Sequence, residues 1–220
     1  MPSLREQWRR NAMHVIQERA LDLFDERGFA AVTIEEIAAA AEVSPSSVYR
    51  YFGTKEGLLV ADEFDTMAPE TLADILDPTD PVDSLLEAVL RYETPSGSGG
   101  SGGAEVEAKG SAQGRALTPW RRVRYFFTEP SVRTAVLAAL DRSAQRVAPL
   151  LTTEGGLSPQ QARVAANAVA FGYFAALESW FSEGGTRPIA DYVEEGLRPL
   201  RRIWSPVSQP EPRAAPSQGV

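Results

Sequence analysis

Residues 33–55, TIEEIAAAAEVSPSSVYRYFGTK, constrain the fold of this 220-residue chain more than any other segment. Thr33, followed three residues later by Glu36, has the pattern of a capping box at the start of a helix. Ser44 and Pro45 mark the start of a second helix, since serine is a favoured N-cap and proline is tolerated at the first helical position. The segment therefore predicts two short helices joined by a tight turn. In such a helix-turn-helix, the second helix lies in the major groove of DNA.

Apolar residues of this segment recur at helical spacing, which assigns an inner face to each predicted helix. Val48 and Phe52, four residues apart, are expected to face inward from the second helix. Val43, in the turn around Glu42, is expected to be buried between the two helices. The inner residues of the first helix are Ile34, Ile37, Ala38 and Ala41, and the residues on or near the outer faces of the second are Ser46, Ser47, Tyr49, Arg50 and Tyr51.

The flanking segments extend the pattern. A helix ending in LDLFDERGF is followed by T-x-x-x-I-A and then by Y-R-Y-F-x-x-K-E-x-L. This order resembles the N-terminal domain of the tetracycline-repressor (TetR) family of bacterial transcription regulators, over roughly residues 10–60. An αα-hairpin in an ordinary helical protein is the alternative reading. It is disfavoured because the turn, the caps and the flanking segments agree with one another.

Several side chains of this segment are suited to contact DNA. The rigid guanidinium fork of Arg50 fits either a guanine edge or a phosphate. Hydroxyls and backbone N–H groups near helix N-termini can hold phosphate oxygens. The resemblance implies that Tyr49 contacts phosphate, whereas Tyr51 stands where the family often has histidine. The predicted DNA-contacting residues are Thr33, Ser44, Pro45, Ser46, Ser47, Tyr49, Arg50, Tyr51 and Lys55.

The charge of the chain is compatible with this interpretation. The net charge is −8, but residues 43–55 carry Arg50 and Lys55 and no acidic residue. An acidic body with a small basic face weakens non-specific binding to phosphates, so more of the affinity rests on specific contacts.

Composition excludes several other functions. The chain has no cysteine and one histidine, His14, so we expect no thiolate chemistry, no zinc–cysteine site and no histidine-based catalytic triad. We therefore predict a protein that is not an enzyme and needs no cofactor or metal, with His14 at the surface or between domains. No apolar run is long enough to span a bilayer, and the N-terminus lacks the apolar core of a signal peptide. A cytoplasmic protein without a membrane partner is expected.

No strand pattern occurs, and the chain is predicted to be all-α. Residues 1–56 are expected to form a three-helix helix-turn-helix DNA-binding domain, residues 57–204 a helical effector-binding and dimerisation domain, and residues 205–220, with four prolines, a disordered tail. Residues 96–103, SGSGGSGG, behave as a flexible coil and are either a native surface loop or an introduced replacement. The first helix is predicted at residues 4–27, with Val15, Ile16, Ala20, Leu23 and Phe24 buried. Further helices are predicted from residue 54, at 82–92, at 117–129, at 131–151, from Pro159 to the glycine pair at 184 and 185, and from Pro188.

Aromatic residues gather in the C-terminal region, either as core or as the walls of a ligand cavity between helices, a common place for such a site. Three arginines at 121, 122 and 124 are either solvated or form an anion grip, and solvation is favoured for at least two of them. Residues 117–151 are similar to family members that respond to acyl-coenzyme A, which implies an acyl thioester or another amphipathic anion as effector. The predicted pocket residues are Leu86, Leu90, Trp120, Arg124, Phe127, Phe171 and Phe174.

The last two predicted helices carry small and apolar residues around much of their circumference, which favours a four-helix interface in an isologous homodimer. The most direct hypothesis is a repressor that an effector releases from a palindromic, double-stranded operator. A helix-turn-helix protein that acts through protein partners, without an effector, is the alternative. The predicted interface residues are Ala165, Val169, Gly172, Ala176, Trp180, Tyr192, Leu197 and Leu200.

Overall fold

The computed structural model describes residues 4–61, 69–93 and 121–204, and every regular element in these ranges is a helix. The predicted all-α fold is therefore confirmed. The Ser/Gly run, Trp120 and the tail predicted to be disordered lie outside the described residues. The helices are α1 (Leu4–Arg27), α2 (Ile34–Ala40), α3 (Pro45–Phe52), α4 (Gly57–Val60), α5 (Pro69–Ile75), α6 (Pro81–Glu93), α7 (Val123–Thr128), α8 (Pro130–Thr153), α9 (Pro159–Ser182) and α10 (Ile189–Trp204).

α1 has the predicted bounds, but its buried stripe differs from the prediction. Ile16, Ala20 and Phe24 are buried as expected, and Leu21 joins them. Val15 is 47% exposed, because a stripe centred on residues 20 and 24 leaves position 15 on the opposite side of the helix. Leu23 lies between these extremes and packs partly buried against the core.

Gly28 ends α1 in a left-handed conformation, with φ of 85°, and its N–H donates to the Phe24 carbonyl at 2.9 Å. The chain then turns back, so that the Phe29 ring lies 5.0 Å from the Phe24 ring. This return brings the start of α2 against the end of α1.

α4 is shorter than the sequence suggests. The Thr54 hydroxyl accepts a hydrogen bond from the Gly57 N–H at 3.1 Å, as a cap would, but Ala61 is already extended, with ψ of 127°. The next described helix, α5, starts at Pro69. The helix predicted to continue to Glu129 ends at Thr128, since the residue before a proline is pushed out of helical conformation.

The C-terminal helices form a bundle around α8 and α9. Residues 154–158 alone connect these two helices, and such short connections join antiparallel neighbours. α9 packs against both α8 and α10, α6 packs against α10, and α7 packs against α8 and α9. No helix in the described ranges combines the length and apolar character needed to cross a membrane.

The buried core is continuous across the predicted domain boundary at residue 56. One cluster contains Phe24 of α1 and Val48 of α3 together with Phe174 of α9. Leu58 and Leu59 of α4 are buried in the same cluster, and α4 packs against both α1 and α8. α4 therefore joins the helix-turn-helix to the bundle, and the boundary stays a prediction from the sequence. A second cluster, between the C-terminal half of α8 and the N-terminal half of α9, consists of Ala144, Ala148, Leu151, Ala162, Ala165 and Ala166.

Candidate nucleic-acid interface

α2 begins at the capping box that the sequence predicts. The Thr33 N–H donates to a Glu36 carboxylate oxygen at 2.8 Å, and the Glu36 N–H donates to the Thr33 hydroxyl oxygen at 3.2 Å. Arg27 of α1 donates to the other carboxylate oxygen at 2.8 Å. The Thr33 N–H first, and Arg27 second, stabilise the ionised carboxyl and lower the pKa of Glu36 to about 2. The start of α2 is thereby held to the end of α1, and the Thr33 hydroxyl has a partner within the protein.

The turn between α2 and α3 contains a left-handed residue that is not glycine. Glu42 has φ of 55°, a conformation that costs an L-residue roughly 1–2 kcal/mol. The next N–H, of Val43, donates to the Ala38 carbonyl at 2.9 Å, and the Val43 side chain packs partly buried against the core. The sequence located this turn but not the backbone strain at Glu42.

Three hydroxyls cluster at the N-terminus of α3. The Ser44 hydroxyl oxygen accepts the Ser47 N–H at 3.2 Å and lies 2.8 Å from the Ser46 hydroxyl and 2.9 Å from the Ser47 hydroxyl. Pro45 occupies the first helical position, as predicted. Hydroxyls and N–H groups at a helix start form a surface suited to phosphate oxygens.

The outer face of α3 presents an arginine and a tyrosine. Val48 and Phe52 are buried and fix the helix on the core, as predicted. Tyr49 is 50% exposed, and Arg50 is also exposed. Arg50 donates to the Tyr51 hydroxyl at 3.2 Å, and its guanidinium carbon lies 4.9 Å from the Tyr51 ring centroid. Tyr51, partly buried against the core, therefore supports Arg50 on the helix surface.

Lys55 has a structural role that the sequence analysis omitted. Its ammonium donates to the carbonyls of Phe29 and Val32 at 2.8 and 3.0 Å, and it lies 4.4 Å from the Phe29 ring centroid. Lys55 thus ties the loop before α2 to the chain just after α3. Its contact with phosphate stays a prediction, and any such contact must share the ammonium with these carbonyls.

Comparison with known proteins identifies the family. The family model described as "Bacterial regulatory proteins, tetR family" matches residues 16–61, from the middle of α1 to the end of α4. The N-terminal part of the chain is a TetR-family domain. TetR proteins are transcriptional regulators, so the expectation that this chain is not an enzyme is confirmed by this domain.

Curated relatives of this TetR chain match its N-terminal part. The regulator HbdR of Aromatoleum sp. (strain CIB) is 38% identical over 82 residues, which cover 36% of this chain and 36% of HbdR. The transcriptional repressor BdcR of Escherichia coli (strain K12) is 36% identical over 85 residues, which cover 36% of this chain and 43% of BdcR. The matched part therefore spans less than half the length of these relatives.

A solved structure matches nearly the whole TetR chain. NalD, the secondary repressor of the MexAB-OprM multidrug efflux pump in Pseudomonas aeruginosa, covers 88% of this chain and 96% of its own length, with a TM-score of 0.51 and 20% sequence identity. At this identity the likeness concerns the fold alone. The TetR fold thus includes the bundle formed by α5–α10.

The three arginines at 121, 122 and 124 are not simply solvated, since each makes a polar contact with another part of the chain, although the Arg124 side chain is still 48% exposed. Arg121 donates to Asp22 of α1 at 3.0 Å. Arg122 donates to the Ala61 carbonyl at 3.3 Å, and Arg124 donates to Asp25. Arg121 and Arg124 thus bind α1, and Arg122 binds the end of α4, while the predicted role of Arg124 in an effector pocket stays a prediction.

Of the predicted pocket residues, Phe127 and Phe174 lie in ring contact, whereas Phe171 and Leu90 lie at the surface. The Phe127 ring lies 5.1 Å from Phe174 and 5.3 Å from Phe181, in a packed cluster that the Arg133 guanidinium covers at 5.1 Å from Phe174. Phe171, by contrast, lies on the outer face of α9 and is 37% exposed. Leu90 is also exposed, Leu86 packs partly buried against the core, and Trp120 lies outside the described residues.

The predicted dimer-interface residues pack largely within the protomer, and the interface itself stays a prediction. Gly172 lies so close to α10 of its own chain that a Cβ there would be 2.5 Å from Leu197 Cδ2. The small residue at this position permits the close approach of α9 and α10 within one protomer. The other predicted residues also face their own chain, since Ala165, Ala176, Tyr192 and Leu197 are buried and Val169, Trp180 and Leu200 pack against the core.

The face of α9 that points outward was not predicted. Val164 is 66% exposed, and together with Phe171 it belongs to a shallow surface groove. Helical spacing could have identified this stripe only if the inward face had already been known, because both faces of α9 carry apolar residues. The groove is lined by Pro159, Gln160, Arg163, Val164, Asn167, Ala168 and Phe171.

Proposed function

We propose that this TetR protein is a transcriptional repressor that binds double-stranded operator DNA through α2 and α3. The observation that carries the proposal is the outer surface of α3. Tyr49 and Arg50 are exposed there beside the hydroxyls of Ser44 and Ser46, while Val48 anchors the opposite face in the core. Residues 43–55 contain no acidic residue that would repel phosphate.

Arg50 provides the first test. If it reads a base edge, Arg50→Ala should weaken operator binding by about 1–3 kcal/mol and relax the preference at one operator position. If it contacts phosphate only, affinity should fall equally on all sequences, and the salt dependence of log K should decrease by about one. Arg142, which is exposed on α8, is the matched control, and its replacement by alanine should have no effect.

The measurement is fluorescence anisotropy of labelled DNA from beside the gene, at two salt concentrations. Unchanged affinity of Arg50→Ala on every sequence would remove Arg50 from the interface. A wild-type chain that binds no fragment with sequence preference would contradict the proposed function and favour a helix-turn-helix protein that acts through protein partners.

The repressor is further proposed to be a homodimer formed through the outer face of α9. The exposed apolar surface of Val164 and Phe171 supports this choice, because exposed apolar residues grouped in one patch are typical of protein contacts. An isologous pair would present two copies of α3, so the operator should be a palindrome.

Release by a small amphipathic anion is the finer part of the proposal. The cluster of Phe127, Phe174 and Phe181 offers apolar surface, and the Arg133 guanidinium above Phe127 and Phe174 offers a positive charge that an anion would share with Glu178, which lies 3.0 Å from it. Acyl-coenzyme A thioesters, fatty acids and aromatic acids should each be titrated into the preformed operator complex. Release that disappears in Arg133→Gln would support this site. No release by any of the three classes would leave a repressor that these anions do not control.

A further inference from the structure

α7 and the residues just before it are attached to α1 by several polar contacts. The Asp25 carboxylate of α1 accepts hydrogen bonds from Arg121 Nε at 3.0 Å and from the Tyr125 hydroxyl at 2.6 Å, and Arg124 pairs with it as well. Arg121 also reaches Asp22. Three donors from residues 121–125 therefore converge on one carboxylate, whose side chain is 28% exposed.

Tyr125 extends this contact toward α3. Its ring is buried, with centroids 5.9 Å from Phe24 and 6.4 Å from Phe29. Burial raises the pKa of Tyr125 to about 12, so the hydroxyl stays a donor at neutral pH. The Phe29 ring and carbonyl in turn hold Lys55, three residues after the end of α3.

A second contact joins α1, the end of α4 and the start of α7. The Ala61 carbonyl, at the end of α4, accepts from Arg122 at 3.3 Å and from Gln17 of α1 at 2.9 Å. Gln17 also donates to the Leu58 carbonyl at 3.1 Å. α1 and the segment at residues 121–125 are therefore fixed to each other at two points, directly at Asp25 and through the Ala61 carbonyl at the end of α4.

We infer that Asp25 is a positioning residue, which fixes the orientation of the helix-turn-helix relative to the bundle by holding Arg121, just before α7, and Arg124 and Tyr125 of α7. This inference rests on the proposed function, because orientation matters only if two helix-turn-helix units must meet one operator. Asp25 does not lie on α3 and needs no contact with DNA. Removal of its charge should therefore change the preference for half-site spacing more than it changes the affinity for a single half-site.

The test compares operators that differ in the spacing of their half-sites. The wild-type dimer should lose affinity when two base pairs are inserted at the centre of the palindrome. In Asp25→Asn, which keeps the size of the side chain and removes its charge, this loss should be about tenfold smaller, which is the usual scale of coupling between sites. Tyr125→Phe, which removes one hydrogen bond to Asp25 and keeps the ring, should reduce the loss by a smaller factor.

Asp83→Asn is the matched control. Asp83 accepts from Arg201 at 2.7 Å, so the variant also breaks an Asp–Arg pair between two helices, but both helices belong to the bundle. Its spacing preference should equal that of the wild type. Equal spacing preferences in the wild type, Asp25→Asn and Tyr125→Phe would overturn the inference. It would also be overturned if Asp25→Asn bound both operators more weakly than the wild type by the same factor.

Hydrogen exchange without DNA separates this outcome from a failure of the proposed function. Asp25→Asn should speed amide exchange in residues 121–128 and in residues 29–33, and Asp83→Asn should not. If the wild type binds no palindrome, the proposed function fails and the exchange result alone decides the role of Asp25. Unchanged exchange in both ranges would then overturn it.

Discussion

α3 and α9 both present an outer surface that we assign to function, but the local sequence defines these surfaces to different degrees. α3 has a proline start, a serine cap and only two buried anchors, Val48 and Phe52, so its outer face follows directly from helical spacing. α9 is apolar on several sides, and its inward face is set by contacts with α8 and α10. The outer face of a helix with one apolar stripe can be predicted from the sequence. The outer face of a helix with two apolar stripes cannot.

The largest expected effect separates the two faces of α9. Phe174→Ala should lower the free energy of unfolding by about 3–5 kcal/mol, since the side chain is only 5% exposed and packs against Phe127. Phe171→Ala, three residues earlier and 37% exposed, is the matched control and should cost clearly less. Urea unfolding at one fixed protein concentration checks both. Equal costs would mean that the inward face of α9 has been assigned wrongly.

The second effect concerns the outer face. Val164→Glu should weaken the dimer by at least about tenfold, because it places a charge in the middle of the proposed contact. Sedimentation at several concentrations measures this, and circular dichroism should show unchanged helix content. Ala138→Glu, which adds the same charge to an exposed position of α8, should leave the dimer intact. A dimer unaffected by Val164→Glu would move the interface away from this face.

A smaller effect tests the turn before α3. Glu42→Gly should raise the free energy of unfolding by up to about 1 kcal/mol, because glycine removes the strain of a left-handed residue but orders a more flexible chain. Glu35→Gly, within α2, should instead destabilise by about 1 kcal/mol, since its backbone is helical. Thermal unfolding of the pair distinguishes them. Destabilisation by both variants would show that the Glu42 side chain contributes more than its backbone costs.

The smallest effect is a pH dependence at the start of α2. The lowered pKa of Glu36, about 2, means that its ionised form stabilises the fold above the ordinary pKa of a glutamate, and that this contribution is lost as pH falls toward 2. The wild type should therefore be more stable than Glu36→Gln at pH 7. The difference should shrink between about pH 4.5 and 2. Denaturant midpoints across this range measure it, and a difference that is constant with pH would contradict the role of the carboxylate charge.

The sequence predicted those parts of the fold that depend on neighbouring residues. The capping box at Thr33 and Glu36, the serine and proline at the start of α3, and the glycine after α1 are local signals, and the structure contains each of them. The bounds of α1 follow for the same reason, whereas α4 is shorter than predicted.

The junction and the faces of α9 could not be predicted, because they depend on distant residues. Asp25 and Arg121 are 96 positions apart, and nothing near either residue indicates the other. Lys55 and the Phe29 carbonyl are likewise 26 positions apart. The basic cluster at 121–124 was therefore predicted to be mainly solvated, whereas its arginines contact α1 and the end of α4.

Footprinting of the DNA beside the gene tests the central claim most directly. The account predicts two protected half-sites with palindromic sequence, centred about one helical turn or a multiple of it apart, bound by two chains and lost in Arg50→Ala. Protection that is absent throughout this DNA at micromolar protein and low salt, or that is unchanged in Arg50→Ala, would contradict the assignment of α3 as the surface that reads DNA.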